Sequence, residues 1–168
     1  MNRYGYIGAA AKFALILAAI VVVQGIAAFR FRVFAYFDLP LIYCIYYGFT
    51  RANPTGSVVI GSVLGLMQDS LSGVALGTNG FSKTLVAFLS ASAGSRFDVD
   101  QTITRVIALI LFTLLDSVLK VVLGALARSG IGEASGLSPG DWALAALFNT
   151  LLGLILFGYR SRPQDAAT

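Results

Sequence analysis

The chain has 168 residues, of which 57% are hydrophobic and 12% charged, and its formal net charge is +4. A soluble domain carries about 25% charged residues. A domain of this length buries only about 70% of its surface, which is too little to cover so many apolar side chains. The composition therefore excludes an ordinary water-soluble domain and predicts a membrane protein. The chain has no histidine, which excludes catalysis by histidine and the commonest metal ligand. Its one cysteine, Cys44, cannot form an internal disulfide, and we expect it to be a small core residue.

Charged residues interrupt the apolar sequence, and the runs between them have the length of membrane spans. About 20 residues cross the hydrocarbon core of a bilayer. The six runs cover residues 13–29, 34–49, 57–72, 81–95, 103–127 and 142–158. The first exceeds the apolar part of a signal peptide, so we expect it to be retained. The sequence predicts one all-α membrane domain over residues 1–168, a six-span bundle; five spans is the alternative, because several runs are short.

The basic residues predict the orientation of the bundle. With six spans both termini share a side, and seven cations flank it: Arg3, Lys12, Arg51, Arg96, Arg105, Arg160 and Arg162. Four flank the other side: Arg30, Arg32, Lys83 and Arg128. Since positive residues favour the cytoplasm, both termini are predicted to be cytoplasmic. The cations form no basic run, so no nucleic-acid partner is expected.

The third run places an aspartate on a face of small residues. Residues four apart share one face of a helix, and Asp69 shares its face with Gly65, Gly61 and Ser57; Gly73 and Gly77 follow in the turn after the run. Small residues let membrane helices approach closely, so these residues are the candidate contacts for helix packing or for a partner. Asp69 either fixes the turn through loop amides or Lys83, contacts a partner or ligand, or relays a proton or ion.

The fifth run carries an acid and a base four residues apart, Asp116 and Lys120. This is the favoured order for an ion pair within a helix. A charge at mid-bilayer costs at least about 2.5–3.5 kcal/mol, so the pair is predicted to be a buried polar contact or a pocket for a polar ligand. Alternatively, Lys120 extends toward the membrane interface.

Other polar and aromatic positions have plainer interpretations. Gln24 and Asn149 are predicted to be hydrogen-bond partners between helices. The second run is aromatic and includes Tyr43, Tyr46 and Tyr47. We interpret its aromatic residues as a belt at the membrane interface together with part of the core, or else as a surface that contacts lipid or a partner. No nucleophile–base pair, phosphate loop or metal spacing is evident in the sequence.

The segment GLMQDSLSGVALG resembles a hallmark of the bacterial rod shape-determining protein MreD family. The matching positions are Gly65, Leu66, Asp69, Ser72, Gly73, Leu76 and Gly77. The chain length and the layout of the runs also fit, whereas Asp116 and Lys120 do not map onto the family pattern.

The resemblance implies a fold similar to the substrate-binding membrane subunits of energy-coupling-factor transporters. It also implies a non-enzymatic component of the cell-elongation machinery in the inner membrane. The implied partner is the single-pass protein MreC, acting with MreB, RodZ, the polymerase RodA and its penicillin-binding transpeptidase in lateral peptidoglycan synthesis. The alternatives are a substrate-binding subunit of a vitamin-type transporter, and a membrane enzyme that would depend on Asp98 and Asp100.

Overall fold

The computed structural model describes residues 15, 17–26, 29–30, 36–72, 76–97, 101–127 and 139–160. The regular secondary structure of these residues is helical, without strands, as the sequence predicts. The helices are α1 (Leu17–Ile26), α2 (Leu39–Arg51), α3 (Pro54–Ser72), α4 (Thr78–Gly94), α5 (Thr102–Ala127) and α6 (Pro139–Arg160). Each overlaps one of the predicted apolar runs. Asp98 and Asp100 lie outside the described residues.

Local capping sets the limits of α2. Asp38 is its N-cap and accepts a hydrogen bond from the Leu41 amide at 3.0 Å, with Pro40 in the first turn, an arrangement that favours a helix start. The helix ends where Ala52 adopts a left-handed conformation with φ 46°. Because of these caps α2 has only 13 residues, about 20 Å of helix, and it begins five residues after the start of the predicted run.

The short helix α2 occupies the centre of the bundle. It contacts α3, α4, α5 and α6, and Leu41, Ile42, Cys44 and Ile45 are completely buried. The burial of Cys44 confirms the prediction of a core residue. From α1, Leu17 and Val21 pack into the same side of the core as Cys44. We name the end of the bundle that holds the α3–α4 connection the polar end, and the end that holds the α2–α3 turn the aromatic end.

Helices α3 and α4 approach most closely, at glycines. A Cβ on Gly61 would lie 2.6 Å from the Lys83 carbonyl oxygen, and one on Gly65 would lie 2.6 Å from the Gly80 Cα. These neighbours are backbone atoms, which cannot rotate away as a flexible side chain can. Only glycine therefore permits this helix spacing.

Aromatic side chains join α2 to the α5–α6 hairpin at the aromatic end. Tyr46 meets Phe157 edge to face with ring centroids 5.0 Å apart, and Phe49 meets Phe112 at 5.9 Å. Edge-to-face pairs add about 0.5–1.5 kcal/mol beyond their buried area. The aromatic second run thus contributes to the core.

One helix within the described residues is, by length and composition, long and apolar enough to cross a membrane, Thr102–Leu126 of α5. Two further segments, Leu17–Ile26 and Trp142–Phe157, are apolar but shorter. The number of crossings stays a prediction.

Candidate functional site

A buried aspartate at the start of α2 connects two lysines from different helices. The Asp38 Oδ2 atom accepts hydrogen bonds from Lys83 Nζ of α4 at 2.8 Å and from Lys120 Nζ of α5 at 2.9 Å. Its Oδ1 atom serves as the cap of α2. The Lys83 side chain is completely buried, whereas the Lys120 side chain is 26% exposed. One carboxylate therefore joins α2, α4 and α5.

The α5 side of this network contains the acid and base that the sequence places one turn apart. Lys120 Nζ lies 2.6 Å from Asp116 Oδ2, so Lys120 contacts two carboxylates at once. The second oxygen of Asp116 accepts a 2.5 Å hydrogen bond from the Ser82 hydroxyl of α4. The predicted pair Asp116–Lys120 is thus one part of a larger cluster.

Asp69 anchors the connection between α3 and α4. Its two oxygens accept hydrogen bonds from the backbone amides of Gly77, Asn79 and Gly80 at 2.8–3.0 Å. The Asn79 side-chain amide adds a fourth at 2.9 Å. These amides belong to the first turn of α4, whose partial positive charge stabilises a carboxylate. Asp69 therefore joins the end of α3 to the start of α4.

Asn79 links Asp69 to the lysine network. Its side-chain nitrogen donates to Asp69, and its side-chain oxygen accepts a 3.3 Å hydrogen bond from Lys83 Nζ. The sequence allows Lys83 as a direct cation for Asp69, but Lys83 reaches Asp69 only through Asn79 and forms its ion pair with Asp38. The polar network is consequently continuous from α3 to α5.

Two amide side chains support the non-helical backbone before α2. Gln24 donates to the Phe37 carbonyl at 2.6 Å and accepts from the Leu39 amide at 2.7 Å. The Asn149 side-chain oxygen accepts from the Asp38 amide at 2.8 Å. These contacts confirm that Gln24 and Asn149 hydrogen-bond between elements, although their partners are backbone groups at the start of α2. Buried backbone groups outside a helix require such partners.

Four charges of the network balance one another, and the fifth, that of Asp69, is stabilised by the amides of the α3–α4 connection. Asp38 and Asp116 oppose Lys83 and Lys120, and each of the six oxygens of the three carboxylates accepts at least one hydrogen bond. Buried charges are tolerated when they are paired and hydrogen-bonded in this way. Among the described residues no three His, Cys, Asp or Glu side chains form a group that could hold a metal ion. The arrangement is suited to holding helices together.

The structure places the predicted packing residues in different roles. Ser57, Gly61, Gly65 and Asp69 are buried on α3, and Gly73 lies outside the described residues. Gly77 does not pack closely, since a Cβ there would meet nothing within 4 Å; instead it adopts φ +99°, which favours glycine. The inclusion of Gly77 in the packing face is therefore corrected.

Two members of the network were not recognised as such from the sequence. Asp38 has no predicted role in the sequence, and Lys83 is predicted to be one of the cations that flank the membrane. The second assignment is wrong, because Lys83 is completely buried inside the bundle. The signal that pointed to a network was the presence of charges within or beside apolar runs.

Comparison with known proteins identifies the family. No curated protein and no solved structure matches the chain, so the similarity to energy-coupling-factor subunits stays a prediction. The family model described as rod shape-determining protein MreD matches residues 8–162, which is nearly the whole chain and includes every residue of the network. The chain therefore belongs to the MreD family of rod shape-determining proteins.

Proposed function

We propose that this chain is a non-enzymatic, multi-span scaffold of the cell-elongation machinery in the bacterial inner membrane. In this role it pairs with an MreC-like single-pass protein and helps to direct lateral peptidoglycan synthesis. Membership of the MreD family carries the role in rod shape. The membrane location and the scaffold role are supported by the distribution of apolar and charged side chains.

The exterior of the α5–α6 hairpin is apolar along its length. The exposed residues of α5 include Ile103, Ile107, Ile110, Leu111, Val118, Val121, Val122 and Leu126. Those of α6 include Leu144, Leu147, Leu151, Ile155 and Leu156. A soluble monomer rarely exposes a continuous apolar surface of this kind. Lipid, or the apolar span of a partner, is the environment that suits it.

The interior has the opposite character, because the network of charges lies between helices. Ionisable residues inside a bilayer face the bundle interior and pair with one another. Asp38, Lys83 and Asp116 are all buried, while Lys120 is shared between two carboxylates. An apolar exterior around a paired polar interior supports a bundle that crosses the membrane several times.

The distribution of cations supports cytoplasmic termini. Without the buried side chains of Lys83 and Arg105, six cations flank the side of the predicted termini and three, Arg30, Arg32 and Arg128, flank the other side. Positive residues near span ends favour the cytoplasmic side. In this orientation the polar end of the bundle faces away from the cytoplasm, toward the side on which peptidoglycan is assembled.

The transporter alternative would require polar groups available to a ligand. The charged side chains that it would use, Asp116 and Lys120, already pair with each other and with Asp38 and Ser82. This internal pairing favours the scaffold. Interactions with the RodA-type polymerase, its transpeptidase, RodZ and MreB belong to the same proposal, with MreC as the direct partner.

Copurification with an MreC-like protein tests the proposal. Tagged wild-type chain, solubilised in mild detergent, is expected to recover the MreC-like protein of the same cell. Asp69→Leu removes four hydrogen bonds at the start of α4, so it is expected to reduce recovery and to make rod-shaped cells rounder. The matched control is Ser70→Leu, because the exposed Ser70 hydroxyl bonds only to its own helix.

The recovery of the MreC-like protein and the shape of the cells decide between the possible outcomes. Reduced recovery with Asp69→Leu, together with normal recovery with Ser70→Leu, supports a scaffold whose α3–α4 fold presents the partner surface. Absence of an MreC-like protein from the wild-type sample contradicts the pairing. Normal cell shape and normal recovery in Asp69→Leu contradict the role given to this connection.

A further inference from the structure

A cavity lies between the last turns of α1 and α3 at the polar end of the bundle. Gln24 and Gly25 of α1 line it on one side, and Gln68 and Leu71 of α3 line it on the other. Its volume is about 400 Å³, within the range of about 300–1,000 Å³ that is usual for small-molecule sites. Nearer the middle of the bundle, by contrast, α1 and α3 pack together in one hydrophobic cluster. The two helices therefore enclose space only near their ends.

Gly25 leaves this space open on the side of α1. A Cβ added at Gly25 would meet no atom within 4 Å, whereas one at Gly61 or Gly65 would collide with the backbone of α4. Gly25 thus does not serve the close approach of two helices, unlike the glycines of α3. A larger side chain at this position would narrow the cavity.

The polar part of the lining offers an acceptor and a donor. The Gln68 side-chain oxygen is buried and has no hydrogen-bond partner among the described residues, which is costly unless another molecule supplies a donor. Since the terminal torsion of glutamine is broad, this oxygen can turn into the cavity. Gln24 uses its oxygen on the Leu39 amide and one N–H on the Phe37 carbonyl. A side-chain amide carries two N–H donors, so Gln24 retains one.

The remaining part of the lining is apolar and reaches the exterior of the bundle. Val21, which is buried, lies inside the cavity, and Phe29 and Leu71 are 95% and 58% exposed. Exposed apolar side chains at the mouth suit a hydrocarbon chain better than a water-soluble ligand. In the proposed orientation the polar end lies at the outer surface of the membrane, where lipid head groups meet acyl chains.

We propose that this cavity binds a membrane phospholipid whose head group donates hydrogen bonds. The Gln68 oxygen accepts from the ammonium group of phosphatidylethanolamine or from a hydroxyl of phosphatidylglycerol, and the second N–H of Gln24 donates to a lipid oxygen. One acyl chain lies along Val21, Phe29 and Leu71. Phosphatidylcholine lacks such a donor, because its head-group nitrogen carries three methyl groups. The inference rests on the proposed membrane location and not on the identity of the partner.

Native mass spectrometry of the chain released from lipid nanodiscs tests the site. The nanodiscs contain equal amounts of phosphatidylethanolamine, phosphatidylglycerol and phosphatidylcholine with the same acyl chains, and the fraction of protein that retains each lipid is measured. We expect the wild type to retain phosphatidylethanolamine, phosphatidylglycerol or both in preference to phosphatidylcholine. Preference for the first alone identifies the ammonium group as the donor, and preference for the second alone identifies the hydroxyls.

Two substitutions locate the bound lipid. Gln68→Leu removes the acceptor and should reduce the preference over phosphatidylcholine about threefold to tenfold. Gly25→Phe places a ring beside the open space and should lower the retention of every lipid about fivefold or more. The controls are Ser70→Leu and Val23→Phe, because both positions are exposed on the same two helices and neither lines the cavity.

The outcome for the lipid is separable from the outcome for the membrane location. Equal retention of the three lipids, no retained lipid, or retention that either Gln68→Leu or Gly25→Phe leaves unchanged would overturn this proposal alone. Failure of the wild-type chain to enter nanodiscs would contradict the membrane location, and the lipid site with it.

Discussion

Removing the charge of Asp38 tests the ion network by itself. Asp38→Asn keeps a side chain that caps helices as well as aspartate does, but it removes the negative charge and leaves one accepting oxygen where Asp38 has two. With that oxygen on the Leu41 amide, the completely buried Lys83 retains only the Asn79 oxygen, at 3.3 Å, as a polar partner. Breaking a buried ion pair from one side costs about 3–5 kcal/mol. We expect a loss of stability in that range.

The double variant separates charge balance from other effects. Lys83→Met alone leaves Asp38 and Asp116 to share Lys120, which is also destabilising. Combining it with Asp38→Asn leaves the neutral pair Asp116–Lys120, 2.6 Å apart. The double variant should therefore be more stable than the sum of the single effects predicts, by about 1–3 kcal/mol.

Unfolding by SDS from mild detergent micelles measures these differences. Arg51→Met is the control, because Arg51 is an exposed cation at the end of α2 and its loss should change stability by no more than about 0.5 kcal/mol. Single effects that add to within about 0.5 kcal/mol would refute the coupling of Asp38 with Lys83. So would an Asp38→Asn protein as stable as the wild type.

Three further predictions concern the backbone of the bundle, and all are measured by the same unfolding assay. Gly65→Ala should destabilise the protein by about 1–3 kcal/mol, because the added Cβ would meet backbone atoms of α4. The control Gly25→Ala, where a Cβ meets nothing within 4 Å, should stabilise it slightly, and equal effects of the two substitutions would contradict the close approach of α3 and α4. Gly77→Ala should cost about 1 kcal/mol or more, since Gly77 has φ +99°, and a neutral result would argue against this turn. Asn149→Leu should cost about 1–3 kcal/mol by leaving the Asp38 amide without its 2.8 Å partner, and unchanged stability would exclude that contact.

Local patterns in the sequence predicted the helices well. Apolar runs bounded by charged or turn residues gave segments that overlap every described helix. The ends of the helices differ from the ends of the predicted runs where a capping residue or a left-handed backbone conformation sets them. Helix α4 begins at Thr78, three residues before the predicted run, because Gly77 and the Asp69 carboxylate organise its first turn. Capping of this kind depends on a residue from the preceding helix.

The network was predictable only where it is local. Asp116 and Lys120 are one helical turn apart, so their contact follows from sequence spacing. Asp38 and Lys83 are 45 residues apart, and only the packing of α2 beside α4 brings them together. Lys83 also lies near the start of an apolar run, where a lysine usually flanks the membrane. Its burial depends on the glycine contacts that fix the position of α4.

We propose that α4 crosses the bilayer and carries Lys83 into its interior. Cysteine labelling with a membrane-impermeant maleimide tests this most directly, using Leu76→Cys and Ser95→Cys in spheroplasts with Cys44→Ser as the background. Both positions are exposed, one at each end of α4. We expect Leu76→Cys to react in intact spheroplasts and Ser95→Cys to react only after the membrane is permeabilised. Reaction of both positions from the same side would contradict it.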